Sequence, residues 1–414
     1  MPEGPNRLLL VGGTSQQVRK ARELGLDVVL VQFPHMYDDE QRALVEEALL
    51  LDYVDVDRLL PRARRRHADR PFGAVLSLSE LGLLPAARVA EELGLPGTPV
   101  ETVRLLADKG RMRRLLAARG LGPVAAAVGR SVADLEDFVD AHGLPVVVKP
   151  VRESGSLGVF ALRNRSELPA VVERFRSLQE RQWTVGDLSF PDSFDDFLVE
   201  ELLDGPEVSV ETLSHRGRHV VVGVTDKETT GRFVEVGHVQ PSRHPAAALA
   251  AATELVTGLL DAVGLRDGPA HTEVKLTSRG PRIVESHNRI GGGRINELTQ
   301  IATGVDMERH ALGVPFGLVE PLAERPEPRA GAAVAVVTPA PGRVVEVTGL
   351  DAVRADPACV DVRLRVGVGD VVPPLTWNED KVGHVVARGS TAAEAAAHSK
   401  RLAAMVRVRT SPDG

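Results

Sequence analysis

The chain has 414 residues, too long for one ordinary core and, at roughly 150 residues per domain, suited to two or three. A hydrophobic content of 43%, a charged content of 26% and the lack of any apolar run of membrane-spanning or signal-peptide character behind Met1 describe a soluble globular protein with no membrane partner. Net charge of -7 and 3% aromatics argue against a nucleic-acid platform, and the single cysteine, Cys359, excludes an intrachain disulfide and a thiolate metal cluster, so a reducing cytoplasm is the expected compartment.

The apolar run Arg7 to Gly13 closes on a glycine pair, and a helical stretch from Ser15 to Leu24 leads into a second apolar run, Val28 to Val31. This is a doubly wound βαβ start. No G-x-G-x-x-G follows the first run, which removes the usual dinucleotide reading. A helix over 39–50, a strand over 74–78 and a helix over 84–93 extend the pattern, and the turn GLPGTP at 94–99 punctuates it.

Lysine is rationed. It stands only at 20, 109, 149, 227, 275, 381 and 400, against 43 arginines. Where surface cations are arginine by default, each lysine invites a question, because its compact ammonium suits a phosphate oxygen. Lys20 and Lys400 read as simply exposed. Lys109 lies in a helix predicted over 101–119, and Lys149 ends the buried strand LPVVVKP. After it, RESGSLGV brings Ser154, Gly155, Ser156 and Gly158 into a small-residue loop. Such a loop can turn backbone N–H groups toward phosphate, and it can equally be the turn of a hairpin between 146–149 and 158–162. Residues 176–196, with Trp183 and Pro191, read as an irregular insertion.

The extended run Phe197 to Leu203 carries Glu200, Glu201, Leu202 and Leu203, and the turn Asp204-Gly205-Pro206 leads to a strand opening on Glu207. Lys227 follows another strand, and His238 sits in GHVQP. An alanine-rich helix over 245–263 reads as scaffold. Then HTEVKL places Glu273 near a strand end, and IVESHNRIGGGR places Glu285, His287, Asn288, Arg289, three glycines and Arg294 within a few residues. Two carboxylates on neighbouring strands, followed by an arginine on a glycine turn, suit a magnesium-bound polyphosphate: Mg²⁺ takes one or two carboxylates plus phosphate oxygens, and arginine donates bidentately. The bland reading is a solvated strand end and a turn. A proline-punctuated linker over 321–328 precedes a region of short strands that ends in a helix over 391–405.

In this order the motifs resemble the ATP-grasp superfamily of ADP-forming carboxylate ligases, and among these the bacterial L-amino-acid ligases, over nearly the whole chain. The implied fold class is α/β and α+β. Residues 1–98 would form a pre-ATP-grasp domain, 99–320 the ATP-grasp core with a small lobe at about 124–203, and 321–414 a C-terminal lobe. The resemblance implies ATP and two Mg²⁺ ions, or Mn²⁺, as cofactors, amino acids as small-molecule substrates, and a homodimer. Lys109 and Lys149 would contact the α and β phosphates, and the 154–159 loop would close over them. Glu200 would accept from the adenine amino group, the 201–203 backbone would read the ring edge, and Glu207 would hold the ribose. Glu273 and Glu285 would bind the metal, with Lys227 offsetting charge and Arg289 steadying the transferred phosphate. His238 and Arg294 would face the amino-acid pocket. One departure stands out. Where many members read E-x-N-P-R, this chain reads Glu285-Ser-His-Asn-Arg, so either Asn288 reaches the second ion, which is the expectation, or His287 replaces it with a nitrogen ligand that suits Mg²⁺ less well. Competing readings are a biotin-carboxylase-like or purine-type carboxylating enzyme, and a nucleotide-binding module without ligase activity.

Overall fold

The computed structural model describes residues 5–152, 155–180, 184–185, 188–189 and 196–411. At the N-terminus, strands Arg7–Val11, Asp27–Gln32, Glu47–Leu50 and Ala74–Leu76 form a parallel sheet in the order third, second, first, fourth. Period-two alternation splits its apolar runs between two cores. Leu8, Leu10, Val28 and Leu30 face one way, while Leu9, Val11, Val29 and Val31 face the other, as a sheet covered on both sides requires. The first of these cores is completed from far along the chain, by Met307, Leu312 and Phe316.

Two features here differ from the sequence expectation. The helix expected over 39–50 ends at Leu44, and Glu47–Leu50 is the third strand. A helix over Val56–Asp69 was not anticipated, because Pro61 and a run of arginines mask its periodicity. Gly12 and Gly13 serve packing: a Cβ on Gly12 would stand 2.5 Å from the Tyr53 hydroxyl, and the Gly13 carbonyl accepts from Gln32 and Gln41.

The helix expected over 101–119 is broken at Asp108, whose extended backbone ends Val100–Ala107 and whose carboxylate caps Lys109–Ala118 by accepting from the Arg111 N–H at 2.9 Å. That break sets Lys109 at the start of the second helix. A small antiparallel sheet follows, in the order Ala126–Gly129, Phe197–Glu201, Val146–Pro150, Phe160–Leu162. Helices Val132–His142 and Leu168–Glu180 lie on it over a core that includes Phe138, Val148, Leu162, Phe175 and Val199. Helix Leu168–Glu180 runs into the segment expected to be irregular, while Trp183 and Pro191 lie outside the described residues, as does Ser154.

The largest sheet has eight antiparallel strands in the order Gly280–His287, Gly268–Thr277, Glu207–His215, Arg218–Thr229, Glu235–Gln240, Gly331–Val336, Gly383–Gly389, Cys359–Leu364. Helix Ala246–Ala262 packs against it through Ala252, Val256, Leu259 and Leu260. The last three strands come from beyond the proline linker, so the C-terminal part continues the same sheet and covers it with helix Ala392–Met405. No helix among the described residues is long and apolar enough to cross a membrane.

Candidate active site

The cleft lies between the small antiparallel sheet and one face of the large one. Because side chains alternate along a strand, Glu207 and Glu211, then His271, Glu273 and Lys275, then Glu285 and His287 fall on one face. Register does the rest. Glu207 lies opposite Lys227 on one side and Lys275 on the other, Glu273 lies opposite Glu285, and His271 lies opposite His287. From the small sheet come Lys149, Glu200 and the 201–203 segment, and Gly155 and Ser156 line the same cleft. Ser156 is fixed by donating to the Phe233 carbonyl at 2.8 Å, and the Asn378 N–H donates to the Gly155 carbonyl at 3.2 Å.

Alternating charges hold these groups in place. Lys227 is buried among three carboxylates, at 2.9 Å from Glu207, 2.6 Å from Glu235 and in a very short contact with Glu273. Burial works against its ammonium, yet these neighbours raise its pKa well above the ordinary lysine value. Lys109 lies 3.1 Å from Glu285, whose carboxyl is pushed well below its ordinary range because Lys109, His287 and Lys149 outweigh the cost of burial. Lys149 contacts Glu200, and Arg113 binds the other Glu200 oxygen at 2.7 Å. Burial would raise the Glu200 pKa, but the two cations bring it down to about 2.

Glu273 and Glu285 thus face each other as ionised groups. Burial and the nearby Glu285 charge both raise the Glu273 pKa, yet Lys227 and the hydrogen bond with His271 act together to hold it below its ordinary range. Two facing carboxylates backed by cations are a place for a divalent ion. Among the described residues no set of three His, Cys, Asp or Glu side chains could hold a metal alone, so phosphate oxygens would have to complete its shell.

A second layer consists of two histidines, each between two carboxylates. His271 Nδ1 lies 2.8 Å from the buried Glu211, and its Nε2 hydrogen-bonds Glu273 at 3.4 Å. Although burial opposes charge, Glu211 and Glu273 lift its pKa to about 10. His287 Nδ1 lies 3.0 Å from Glu80, which comes from the N-terminal domain. Its Nε2 stands 3.2 Å from Glu285 Oε1 without a hydrogen-bond partner. Glu80 also contacts Arg289, and His287 and Arg289 together hold the Glu80 carboxyl far below its ordinary range in spite of burial.

Of the residues singled out in the sequence, Lys109, Lys149, Gly155, Ser156, Glu200, Glu201, Leu202, Leu203, Glu207, Lys227, Glu273 and Glu285 line one cleft. Gly158, in left-handed backbone, belongs to the same loop. His238 stands opposite Lys227 and lies 3.0 Å from the Gly293 carbonyl. Four expectations change. Asn288 turns away to line a separate, largely apolar cavity between the N-terminal sheet and the far end of strand Glu207–His215, so His287 alone stands beside Glu285. Both Glu200 oxygens already carry cations, so its carboxylate serves Lys149 before any adenine. The Glu201 and Leu202 N–H groups are spent on Ala125 and Pro145, and among the described residues no backbone partner takes that of Leu203. Arg294, in left-handed backbone ahead of helix Ile295–Thr303, reaches Asp361 at 2.7 Å and Glu297 at 3.1 Å, and does not line the cleft.

Sequence reasoning missed Glu80, Arg113, Glu211, Glu235, Lys275, His271 and Lys381. Lysine scarcity already pointed to two of them: Lys275 lines the cleft and Lys381 lies 3.8 Å from Glu235. Lys20, expected to be exposed, is held 2.7 Å from both Asp306 and Glu308, and Lys400 is exposed as expected.

Comparison with known proteins places this geometry in a class. An ATP-grasp domain model matches residues 142–297, and an ATP-grasp N-terminal domain model matches 18–97. The chain belongs to the ATP-grasp superfamily, whose members generally use ATP and a divalent metal ion. Within it the chain is most like the L-amino-acid ligases: residues 335–411 match the model of L-amino acid ligase C-terminal domain 2. An L-amino acid ligase from Bacillus licheniformis shares the fold with a TM-score of 0.85 at 23% identity, over 99% of this chain and 100% of that one. An uncharacterised protein y4rH of Sinorhizobium fredii is 27% identical over 89% of this chain and 75% of its own length. Alanine–anticapsin ligase of Bacillus subtilis is 25% identical over 59% of this chain, which spans 54% of that ligase's length.

Proposed function

We propose that this chain joins two amino acids, or close analogues, through an amide bond, with ATP converted to ADP and phosphate. One observation carries the reading: Lys109, Lys149 and Lys227 converge with the facing pair Glu273 and Glu285 in one cleft beside the 201–203 segment. The match of the C-terminal residues to an L-amino acid ligase domain favours an amine over bicarbonate as the second reactant.

A carboxylate is a poor electrophile and must first be activated. One oxygen of the donor carboxylate attacks the γ-phosphorus, the bond to the β-bridging oxygen breaks, and ADP leaves. An acyl phosphate remains. The amine nitrogen of the acceptor then attacks its carbonyl carbon, loses a proton and expels phosphate. The protein's share is positioning and charge neutralisation. Lys109 and Lys149 hold the α and β phosphates, with Glu200 and Arg113 fixing Lys149. Leu203 offers its N–H to the adenine edge, and Glu207 takes the ribose. Arg289, now on Glu80, steadies the transferred phosphoryl group and the tetrahedral oxyanion. His238 lines the approach of the amino acid. Glu273 and Glu285 would hold divalent ions, two Mg²⁺ being the expected load, which neutralise and orient the β and γ phosphates.

Hydroxylamine tests this chemistry. With Mg-ATP and a donor amino acid, the native protein should release ADP and form the donor hydroxamate, because hydroxylamine intercepts an acyl phosphate. Glu285→Gln should lower that yield by about 100-fold or more while its thermal unfolding stays close to native. Near-native hydroxamate formation by Glu285→Gln would refute the metal assignment.

A further inference from the structure

The cavity that Asn288 lines has a volume of about 740 Å³ and shares no lining residue with the nucleotide cleft. Sites built for small molecules span roughly 300 to 1,000 Å³. Leu83, Ala86, Ala87 and Ala90 recur at helical spacing in its lining, so helix Leu83–Glu92 turns one face of mostly small side chains toward it. Its depth carries no charge. Arg216, Arg218, Asp267 and Glu320 are all exposed and stand at the rim, with His215 beside Asp267 at 3.2 Å. Burial pushes the His310 pKa down, which keeps that ring neutral at neutral pH.

Two sets of polar groups are nevertheless left open in this apolar space. Strand Ala74–Leu76 is an edge of its sheet and pairs only with Arg7–Val11. All the residues from Gly73 to Leu78 line the cavity, although successive side chains point to opposite faces of a sheet. The free edge itself therefore borders the cavity, with its row of unpaired backbone N–H and C=O groups. The second group is Asn288. It is only 8% exposed, and among the described residues its side-chain amide makes no hydrogen bond while staying open to the cavity. A buried amide offers a donor and an acceptor, and leaving both unpaired is unfavourable until a ligand takes them.

We propose that this cavity is a second ligand site, for a neutral, mainly apolar molecule that carries amide groups as a capped short peptide does. Such a molecule lies extended along strand Ala74–Leu76, exchanges backbone hydrogen bonds with it, and pairs one amide with Asn288. A free amino acid fits poorly, because its ammonium and carboxylate would be buried without partners. The inference is independent of the ligase reading, since no residue of the nucleotide cleft takes part.

N-acetyl-leucyl-leucinamide is the probe, because its blocked ends can neither be activated nor attack. Titrated by calorimetry into the full chain saturated with Mg²⁺ and β,γ-imido-ATP, it should bind one to one. In methyl-labelled protein it should shift the resonances of Leu78, Ala87, Leu213 and Val220 and spare Val147 and Leu202 of the nucleotide cleft. Asn288→Leu, similar in volume, should weaken binding about tenfold. Val314→Trp, at a partly exposed position of the lining, should fill the space and abolish binding. Unblocked leucyl-leucine should bind at least about tenfold more weakly than the capped form. No binding by the native chain, methyl shifts confined to the nucleotide cleft, unchanged affinity in both variants, or equal affinity for leucyl-leucine would overturn the inference. The shift map is read on the native chain, so it decides even where a variant fails to fold.

Discussion

At the residue scale the site depends on a few buried ions whose partners are fixed by strand register. Glu200 is the clearest case, with Lys149 on one oxygen and Arg113 on the other. Its folded pKa of about 2 lies below the ordinary 4.5, so the carboxylate's contribution to stability is complete above pH 4.5 and is lost as pH falls toward 2. Glu200→Gln leaves two cations poorly paired and should cost on the order of 3 to 5 kcal/mol near neutral pH. The gap between native and variant, measured by denaturant unfolding, should shrink steadily from pH 4.5 downward. A gap that stays constant to pH 3 would mean that the carboxylate's charge is not what stabilises this wall of the cleft.

At the element scale the glycine triplet 291–293 shows how local geometry serves the site. A Cβ on Gly293 would lie 2.4 Å from His238 Cε1 in left-handed backbone, and one on Gly291 would lie 2.7 Å from His271 Nδ1, but Gly292 has nothing within 4 Å. Gly292→Ala should therefore change stability by no more than about 0.5 kcal/mol, whereas Gly293→Ala should cost about 1 to 3 kcal/mol. Comparable unfolding midpoints for the two variants would contradict this account of the turn. The triplet was legible in the sequence as a turn, but its packing against His271 and His238 was not, since those two come from other strands. The same holds more widely. Lysine scarcity and motif order marked most of the cleft, because those residues sit in local patterns that strand and loop chemistry impose. Glu80, Arg113 and Glu211 could not be read that way: each acts across a long sequence separation, and only the sheet order brings it to the site. Asn288 was misplaced for a related reason. Alternation puts Glu285 and His287 on one face, and the next residue leaves it.

At the scale of the whole molecule the cleft draws on every part of the chain. Glu80 arrives from the short turn Glu80–Gly82 that follows the last strand of the parallel N-terminal sheet, Lys149 and Glu200 from the small sheet, and Glu273, Glu285 and His287 from the large one. Asn378 reaches in from the C-terminal part, accepting from the Glu235 N–H at 3.2 Å. The N-terminal sheet is bound to the rest through the core with Met307 and Phe316 and through Lys20 on Asp306 and Glu308. Such an arrangement suits a reaction in which nucleotide, donor and acceptor must meet in fixed geometry away from water. The most direct test of the central claim is ADP and phosphate release from Mg-ATP across a matrix of paired amino acids, with bicarbonate as control and mass spectrometry of the products. Release that requires an amino-acid pair, and a product equal in mass to the pair less one water, is the predicted result. Release driven by bicarbonate, or ATP binding with no release for any pair, would contradict it.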